Sequence, residues 1–393
     1  MRITIRLLVV LLAVTTAAGR AFSFTRGPGY AGVRSMGMGG TAIAVTTDRT
    51  AIFHNPAGLG LLKGKIDLSV TPAIVSLDGK LSTVLDAMSE HGDKLSDLST
   101  IDEDFINTLS ELDGYWIGIG YLPEITVAKK YLGFGVYTVF PFSVRVETGH
   151  LVPKLAFRGE RDLVFTWAFG VPLKTEKHQF GISVEYVQRT PVEETITKYT
   201  ETYEFSDEIV QRPLGVLGEF SNIKHGASFD VGLMHHWKGW RFGWGVKDIF
   251  GVVGGELAIP QLDLGFAYYF PQLAGIDWMR TLIFAFELSD IAGIEERTRR
   301  LKSLAKKVHL GAEWDLNHIA LRAGINQGYP TVGLGVSLGF ARVDYVFFQE
   351  ELGYYPGQQV RRRHIISARM AMRLPKIIRE SSGGTRAPTP DLP

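Results

Sequence analysis

The chain has 393 residues, a net charge of +1 and no cysteine. That balance does not point to nucleic acid or an acidic partner, and the missing thiols exclude disulfides and thiolate metal sites. With 44 glycines and 11% aromatic residues, a single large barrel fits the length as well as two or three soluble domains do.

The first residues read as an export signal. Arg2 and Arg6 precede the apolar run 7–14, and Ala17, Ala18 and Gly19 follow. Cleavage after Gly19 and cleavage after Ala21 both fit, and the signal is assigned to 1–21. The run is shorter than the ~20 apolar residues of a membrane-spanning helix, and no later stretch reaches that length. A membrane location therefore requires strands, since only helices and closed barrels satisfy the backbone in lipid.

Residues 22–60 are rich in Gly, Ala, Met and Thr, with Gly37, Gly39 and Gly40 followed by Asn55, Pro56, Ala57 and Gly58. The glycines permit positive φ and close backbone approach, and Asn-Pro-Ala-Gly is turn chemistry. Nothing here alternates as a lipid-facing strand does, so a plug within something larger is expected.

Alternation begins at Ile66. Leu163, Phe165, Trp167 and Phe169 oppose Asp162, Val164, Thr166, Ala168 and Gly170. One face is bulky and the other small or polar, as a strand with one apolar side requires. The pattern is weak over 66–74 and ambiguous over 115–122. It is clear in segments containing Phe134, Ile182, Val231, Phe242, Phe266, Phe284, Leu310, Leu321, Leu334, Tyr345 and Ile366. About 14 such segments result, each near the ~9–11 residues that cross a bilayer at a tilt. Long connections alternate with tight ones such as Lys238-Gly239, which is how outer-membrane barrels arrange outer loops and periplasmic turns. The predicted fold is an all-β, single 14-stranded antiparallel transmembrane barrel over 61–374. The first outer connection, 77–114, has apolar residues at helical spacing and predicts an amphipathic helical insert. The tail, 375–393, is basic and then Ser/Gly/Pro-rich, and predicts a disordered periplasmic extension.

The inward parity carries charge of both signs: Glu185, Asp230, Arg241, Lys247, Asp263, Glu287, Glu313, Asp315, Arg322, Asp344, Arg369 and Arg373. A charge facing lipid costs ~2–4 kcal/mol at the midplane, which sets the direction. Either these residues lock a plug to the wall or they line a conducting path. Phe140, Pro141 and Phe142 fall in the third strand, where a proline ends a strand or kinks it to open a side window. No nucleophile elbow, zinc-helix or phosphate-loop motif occurs, so neither an enzyme nor a cofactor is expected. Adjacent His235 and His236 point to opposite faces of a strand and cannot chelate one ion together.

The stretch Gly32-Val33-Arg34-Ser35-Met36-Gly37-Met38-Gly39-Gly40, followed by 41–49 and by Asn55-Pro56-Ala57-Gly58-Leu59, resembles the FadL-type outer-membrane transporters, in the branch with PorV-like and FadL-like proteins. The resemblance implies an N-terminal hatch carrying Asn55, Pro56 and Ala57 near its contact with the wall of a 14-stranded barrel. It implies uptake of long-chain fatty acids or other hydrophobic compounds, including detergent-like ones, with movement of the hatch and sideways exit at a kinked third strand. PorV-like members instead serve a secretion system and bind proteins at the outer surface. The chain departs from the family pattern in its charged lumen and in a last strand ending Met372-Arg373-Leu374. The partners expected are outer-membrane lipid and a hydrophobic ligand, with the outer loops as candidate protein-binding surfaces and a monomer as the assembly.

Overall fold

The computed structural model describes residues 24–25, 32–62, 66–79, 107, 116–121, 123–147, 154–196, 223–270, 281–291, 301–351, 356–358 and 360–374. The expected signal 1–21, most of the helical insert and the tail 375–393 lie outside the described residues.

After a two-residue strand β1 (Phe24–Thr25) come the short helices α1 (Val33–Gly37) and α2 (Ala51–His54) and a 3-10 turn, Pro56–Leu61. The alternating segments then form β2 (Ile66–Asp78), β3 (Trp116–Tyr121), β4 (Glu124–Lys129), β5 (Leu132–Glu147), β6 (Lys154–Leu173), β7 (His178–Ile196), β8 (Lys224–Trp237) and β9 (Trp240–Val253). A short β10 (Glu256–Ala258) precedes β11 (Gln261–Phe270), β12 (Thr281–Leu288), β13 (Val308–Leu316), β14 (Ile319–Asn326), β15 (Tyr329–Leu338), β16 (Ala341–Glu351) and β17 (Val360–Leu374).

Consecutive strands pair antiparallel, β9 pairs with β11, and β17 pairs with β2, so the sheet closes on itself. Since β3 and β4 are two halves of one strand, and β1 and β10 lie beside the ring, the wall has 14 strands. Among the described residues closure pairs every wall strand on both sides, which is the condition for crossing lipid with strands.

Side-chain direction follows the parity read from sequence. Trp167, Phe169, Phe229, Phe242, Phe266, Phe284, Leu321 and Ile366 are exposed, whereas Ala168, Thr166, Ser183, Gly232 and Ser367 on the opposite parity are buried. Rings continue across strands on the outside: Phe266 and Phe286 stack at 4.8 Å, and Trp240 meets Tyr268 at 4.7 Å. Leaving each such side chain in water forgoes ~1.5–3 kcal/mol, so a belt of them is stable only against acyl chains. This places the chain in an outer membrane.

The ambiguous stretch 115–122 is only the outer half of the second strand. Pro123 interrupts it, and β4 continues with Glu124, Thr126 and Ala128 inward and Ile125 and Val127 outward. The wall is also uneven in length. The strands β6 and β7 have 20 and 19 residues, while β12 and β14 have eight each.

Candidate functional site

Residues 32–62 occupy the interior of the barrel. Ile52, Phe53 and Leu59 form a core with Ala128, Tyr137, Val164 and Ala168 of the wall, and Met38, Ala44 and Val45 pack with Ala267, Ile283 and Ala285. Phe53 meets Tyr137 edge-on at 5.0 Å. The segment leads into β2 at the end of the barrel that carries the tight turns.

Local chemistry shapes this inner segment. Asn55 precedes the 3-10 turn, and its Oδ1 accepts the N–H of Ala57 at 3.2 Å. Proline fits the next position, because the first N–H of a helical turn has no partner to lose. The Asn55 amide then donates outward, from Nδ2 to the carbonyls of Ile43 at 2.8 Å and of Leu233 in β8 at 3.3 Å. One side chain therefore caps the turn, joins two parts of the inner segment and ties both to the wall. Gly39 and Gly40 adopt φ of 69° and 90°, and the Gly39 carbonyl accepts from Nδ1 of His309 at 2.9 Å.

The wall facing this segment is built of glycine. A Cβ at Gly181 would overlap the Ala57 nitrogen and the Pro56 carbonyl, one at Gly232 the Asn55 amide oxygen, one at Gly243 the Ile43 carbonyl, and one at Gly324 the Gly39 nitrogen. Gly181 and Gly232 are registered partners across β7 and β8. The Pro56–Ala57 backbone lies on Gly181 and the Asn55 amide on Gly232, with no room for a side chain at either.

Polar groups hold the rest. Glu287 Oε2 accepts the N–H groups of Ala42 and Ile43 at 2.6 and 2.8 Å. The Tyr269 hydroxyl donates to the Val45 carbonyl at 3.0 Å, and Arg241 donates to Thr47 at 3.0 Å while lying over the Tyr269 ring. Arg34 donates to Glu313 at 2.6 Å and to Asp48 at 3.2 Å. Arg322 bridges Glu313 at 2.7 Å and Asp344 at 2.8 Å, with only 2% of its side chain exposed. Arg342 also reaches Asp344, at 2.9 Å.

Between these residues and the inner segment lies a cavity of about 330 Å³. Arg34, Asp48, His54, Glu124, Asp315 and Arg369 are among its lining residues. The inner segment is therefore seated on glycine along β7 to β9 and again at Gly324 of β14, and it faces a charged cavity lined from β13 to β17 and β2.

The other predicted charges take separate places. Lys247 pairs with Asp263 at 3.1 Å. Asp230 accepts from Ser183 at 3.1 Å and from the Asp248 N–H at 2.9 Å, and Glu185 accepts from Thr166 at 3.3 Å. Asp315 caps the turn at Asn317 at 3.0 Å. Arg373 lies in β17, but its side chain is outside the described residues. Sequence reasoning missed Arg34, Asp48, Glu124, Arg342, Tyr269 and His309. For Glu124 the signal existed: Glu124, Thr126 and Ala128 alternate with Ile125 and Val127, but Pro123 masks the continuity.

In the wall, Phe140 and Pro141 lie within β5, which runs on through Glu147, and Phe140 is buried. Pairing of β5 with β6 is registered at Val139↔Asp162 and again at Phe142↔Gly159, with no partners between. The interruption of a strand falls next door. Registration of β2 with its neighbour shifts by one residue between Thr71↔Glu124 and Val75↔Tyr121, around Pro72 and Pro123. Pro141 registers with Gly120, three residues from Pro123, and the same glycine registers with Ser76, four residues from Pro72. Three adjacent strands thus each carry a residue without an N–H donor, within four residues of one another along the ladder.

His54, outside the strands that cross the membrane, is buried against a cavity also lined by Arg34 and Asp48. Burial, aided by Lys247 and Arg34 against Asp48, pushes its pKa down to about 3. A lowered pKa means that the released segment binds the proton more readily. The seat is firm above the ordinary histidine value near ~6.5 and loosens as pH falls toward about 3. Protease protection of residues 32–62 is expected to fall between pH 7.5 and 4.5, and His54→Gln to flatten that dependence; an equally steep fall in the variant would assign it elsewhere.

No protein-family model matches the sequence, and no curated protein does. Solved structures with a similar course of the chain include the Ralstonia pickettii toluene transporter TbuX, at 13% identity and TM-score 0.47 over 88% of this chain and 98% of that one. The Pseudomonas putida toluene transporter TodX is similar at 14% identity and TM-score 0.43 over 89% and 99%. A deltaS2 mutant of the TodX monoaromatic hydrocarbon channel is similar at 13% and 0.49 over 87% and 98%. At these values the similarity is one of overall architecture, and no ligand follows from it.

Proposed function

We propose that this protein is an outer-membrane channel for uptake of hydrophobic small molecules, long-chain fatty acids among them, in which residues 32–62 act as the hatch and solute leaves sideways through the wall. The observation that supports this reading most is the set of prolines on three neighbouring strands, Pro72, Pro123 and Pro141, the first two of which flank a one-residue shift in the register of the ladder. A sideways route between strands leads into acyl chains, a destination suited to an apolar solute and not to a polar one. The filled lumen supports a gated path over an open pore.

The reading is tested by replacing all three prolines with alanine, which restores three N–H donors to the ladder. Uptake of a radiolabelled long-chain fatty acid and of toluene by cells carrying the variant is expected to fall about tenfold, the effect of ~1.4 kcal/mol on an opening equilibrium. Unchanged uptake from a correctly folded variant would overturn sideways exit. A second reading, a secretion scaffold that never opens, is favoured by the ion pairs joining the inner segment to the wall. It requires that wild-type cells take up neither solute and that the purified chain retain no apolar compound.

A further inference from the structure

The outer surface of the barrel carries a pair of histidines that the channel reading does not use. His178 opens β7 and His235 lies near the end of β8, and the two are registered partners across the ladder. Both lie at the tight-turn end of the barrel, on the outward parity, close to the exposed Trp237 and Trp240. Sequence reasoning considered only the neighbours His235 and His236, which face opposite ways; the cross-strand partner is 57 residues distant and visible only in the fold.

The two rings stack with centroids 4.3 Å apart and planes inclined at 27°, and their Nδ1 atoms are 3.1 Å apart. Two imidazole nitrogens bound to one ion at ~2.0–2.1 Å, with an angle between square and tetrahedral, lie ~2.9–3.4 Å apart. The observed separation falls inside that interval. With one proton on Nδ1 the contact is a hydrogen bond; with both protons on Nε2 both Nδ1 lone pairs are free, and because the rings lie nearly parallel each must turn about χ2 to aim them at one ion.

We propose that His178 and His235 form a binding site for a borderline divalent transition ion, of the class of Cu2+, Ni2+ and Zn2+, at the membrane–water boundary. Water or lipid phosphate oxygens complete the coordination. The proposal is independent of whether the barrel transports anything. It has one structural consequence: the same two strands carry, three residues further along and on the inside, the Gly181 and Gly232 pair against which Asn55 and Pro56 rest. An ion on the outside would clip together the two strands that form the seat.

The test uses the full chain purified without a polyhistidine tag, in detergent and in nanodiscs, titrated with Cu2+ alone. One saturable equivalent is expected, with a two-nitrogen signature in the electron paramagnetic resonance spectrum in both media. His178→Ala, at an exposed strand end, is expected to weaken binding at least tenfold and to leave heat-modifiable migration unchanged. His225→Ala, on the same two strands where His225 meets Tyr186, is expected to bind as the wild type does. Wild-type protein with no saturable equivalent at millimolar Cu2+, or His178→Ala binding with unchanged affinity and spectrum, would overturn the site.

Discussion

Replacing Gly181 with leucine is expected to drive the turn at Asn55, Pro56 and Ala57 off the wall and leave a barrel that conducts. The expectation rests on which partner yields. The added side chain would enter space occupied by the Pro56 and Ala57 backbone, which no rotamer change vacates. Overpacking in a core that can adjust costs ~1–3 kcal/mol, and a clash with fixed backbone lies at or above the top of that range. On the wall side, Gly181 belongs to β7, held by continuous ladders to β6 and β8. On the lumen side, the turn is held by a few hydrogen bonds, among them the Asn55 amide to Leu233 at 3.3 Å. The inner segment yields first, and once it has moved the leucine points into open lumen without strain. Planar-bilayer conductance is therefore expected to rise from near closed to large steps, with residues 32–62 becoming protease-sensitive while heat-modifiable migration persists. A suitable control is Gly79→Ala, whose added Cβ meets Arg362 at an ordinary 3.4 Å and should change nothing. A tight, protease-resistant Gly181→Leu barrel would mean that the glycine seat is not what admits the segment.

Most of the wall was legible because its code is binary and local. Trp167 and Phe169 against Ala168 and Gly170 state their faces in sequence, and closing the ring requires each strand to keep that parity. The second strand was legible only in part, because proline at 123 is a stop signal locally and a tolerated interruption in a ladder with partners on both sides. Inward charge was legible from the cost of facing lipid, so Glu313, Arg322 and Asp344 were placed on the lumen side. Their partners were not. Arg34 lies 279 residues from Glu313, and no period or spacing connects them. The small parity also concealed its purpose. Gly181, Gly232, Gly243 and Gly324 read simply as small residues, and only the fold shows that each vacancy is filled by residues 32–62, by backbone at Gly181, Gly243 and Gly324 and by the Asn55 side chain at Gly232.

The ion pairs make a second expectation, of opposite character to the glycine seat. Glu313 is shared by Arg34 of the inner segment and Arg322 of the wall, and each arginine has another carboxylate: Asp48 at 3.2 Å for Arg34 and Asp344 at 2.8 Å for Arg322. Glu313→Gln keeps the volume and removes the charge. Arg322 retains Asp344, so the wall keeps its own pair. Arg34 retains Asp48, but that residue belongs to the same inner segment, so the surviving pair no longer spans the boundary. Losing one partner of a buried pair costs ~3–5 kcal/mol. Here Arg34 has 26% of its side chain exposed beside a polar cavity, so water offsets part of the loss and ~2 kcal/mol is the expected effect on seating. Flicker openings and faster proteolysis of residues 32–62 are expected in Glu313→Gln, whereas Asp344→Asn should destabilise the barrel without either. A double-mutant cycle with Arg34→Met separates the two roles: a coupling of ~1–2 kcal/mol in proteolytic protection identifies Arg34 and Glu313 as the tie across the boundary. Additive effects would move that role to the Glu287 carboxylate, whose bonds to the Ala42 and Ile43 amides need no charged partner in the segment.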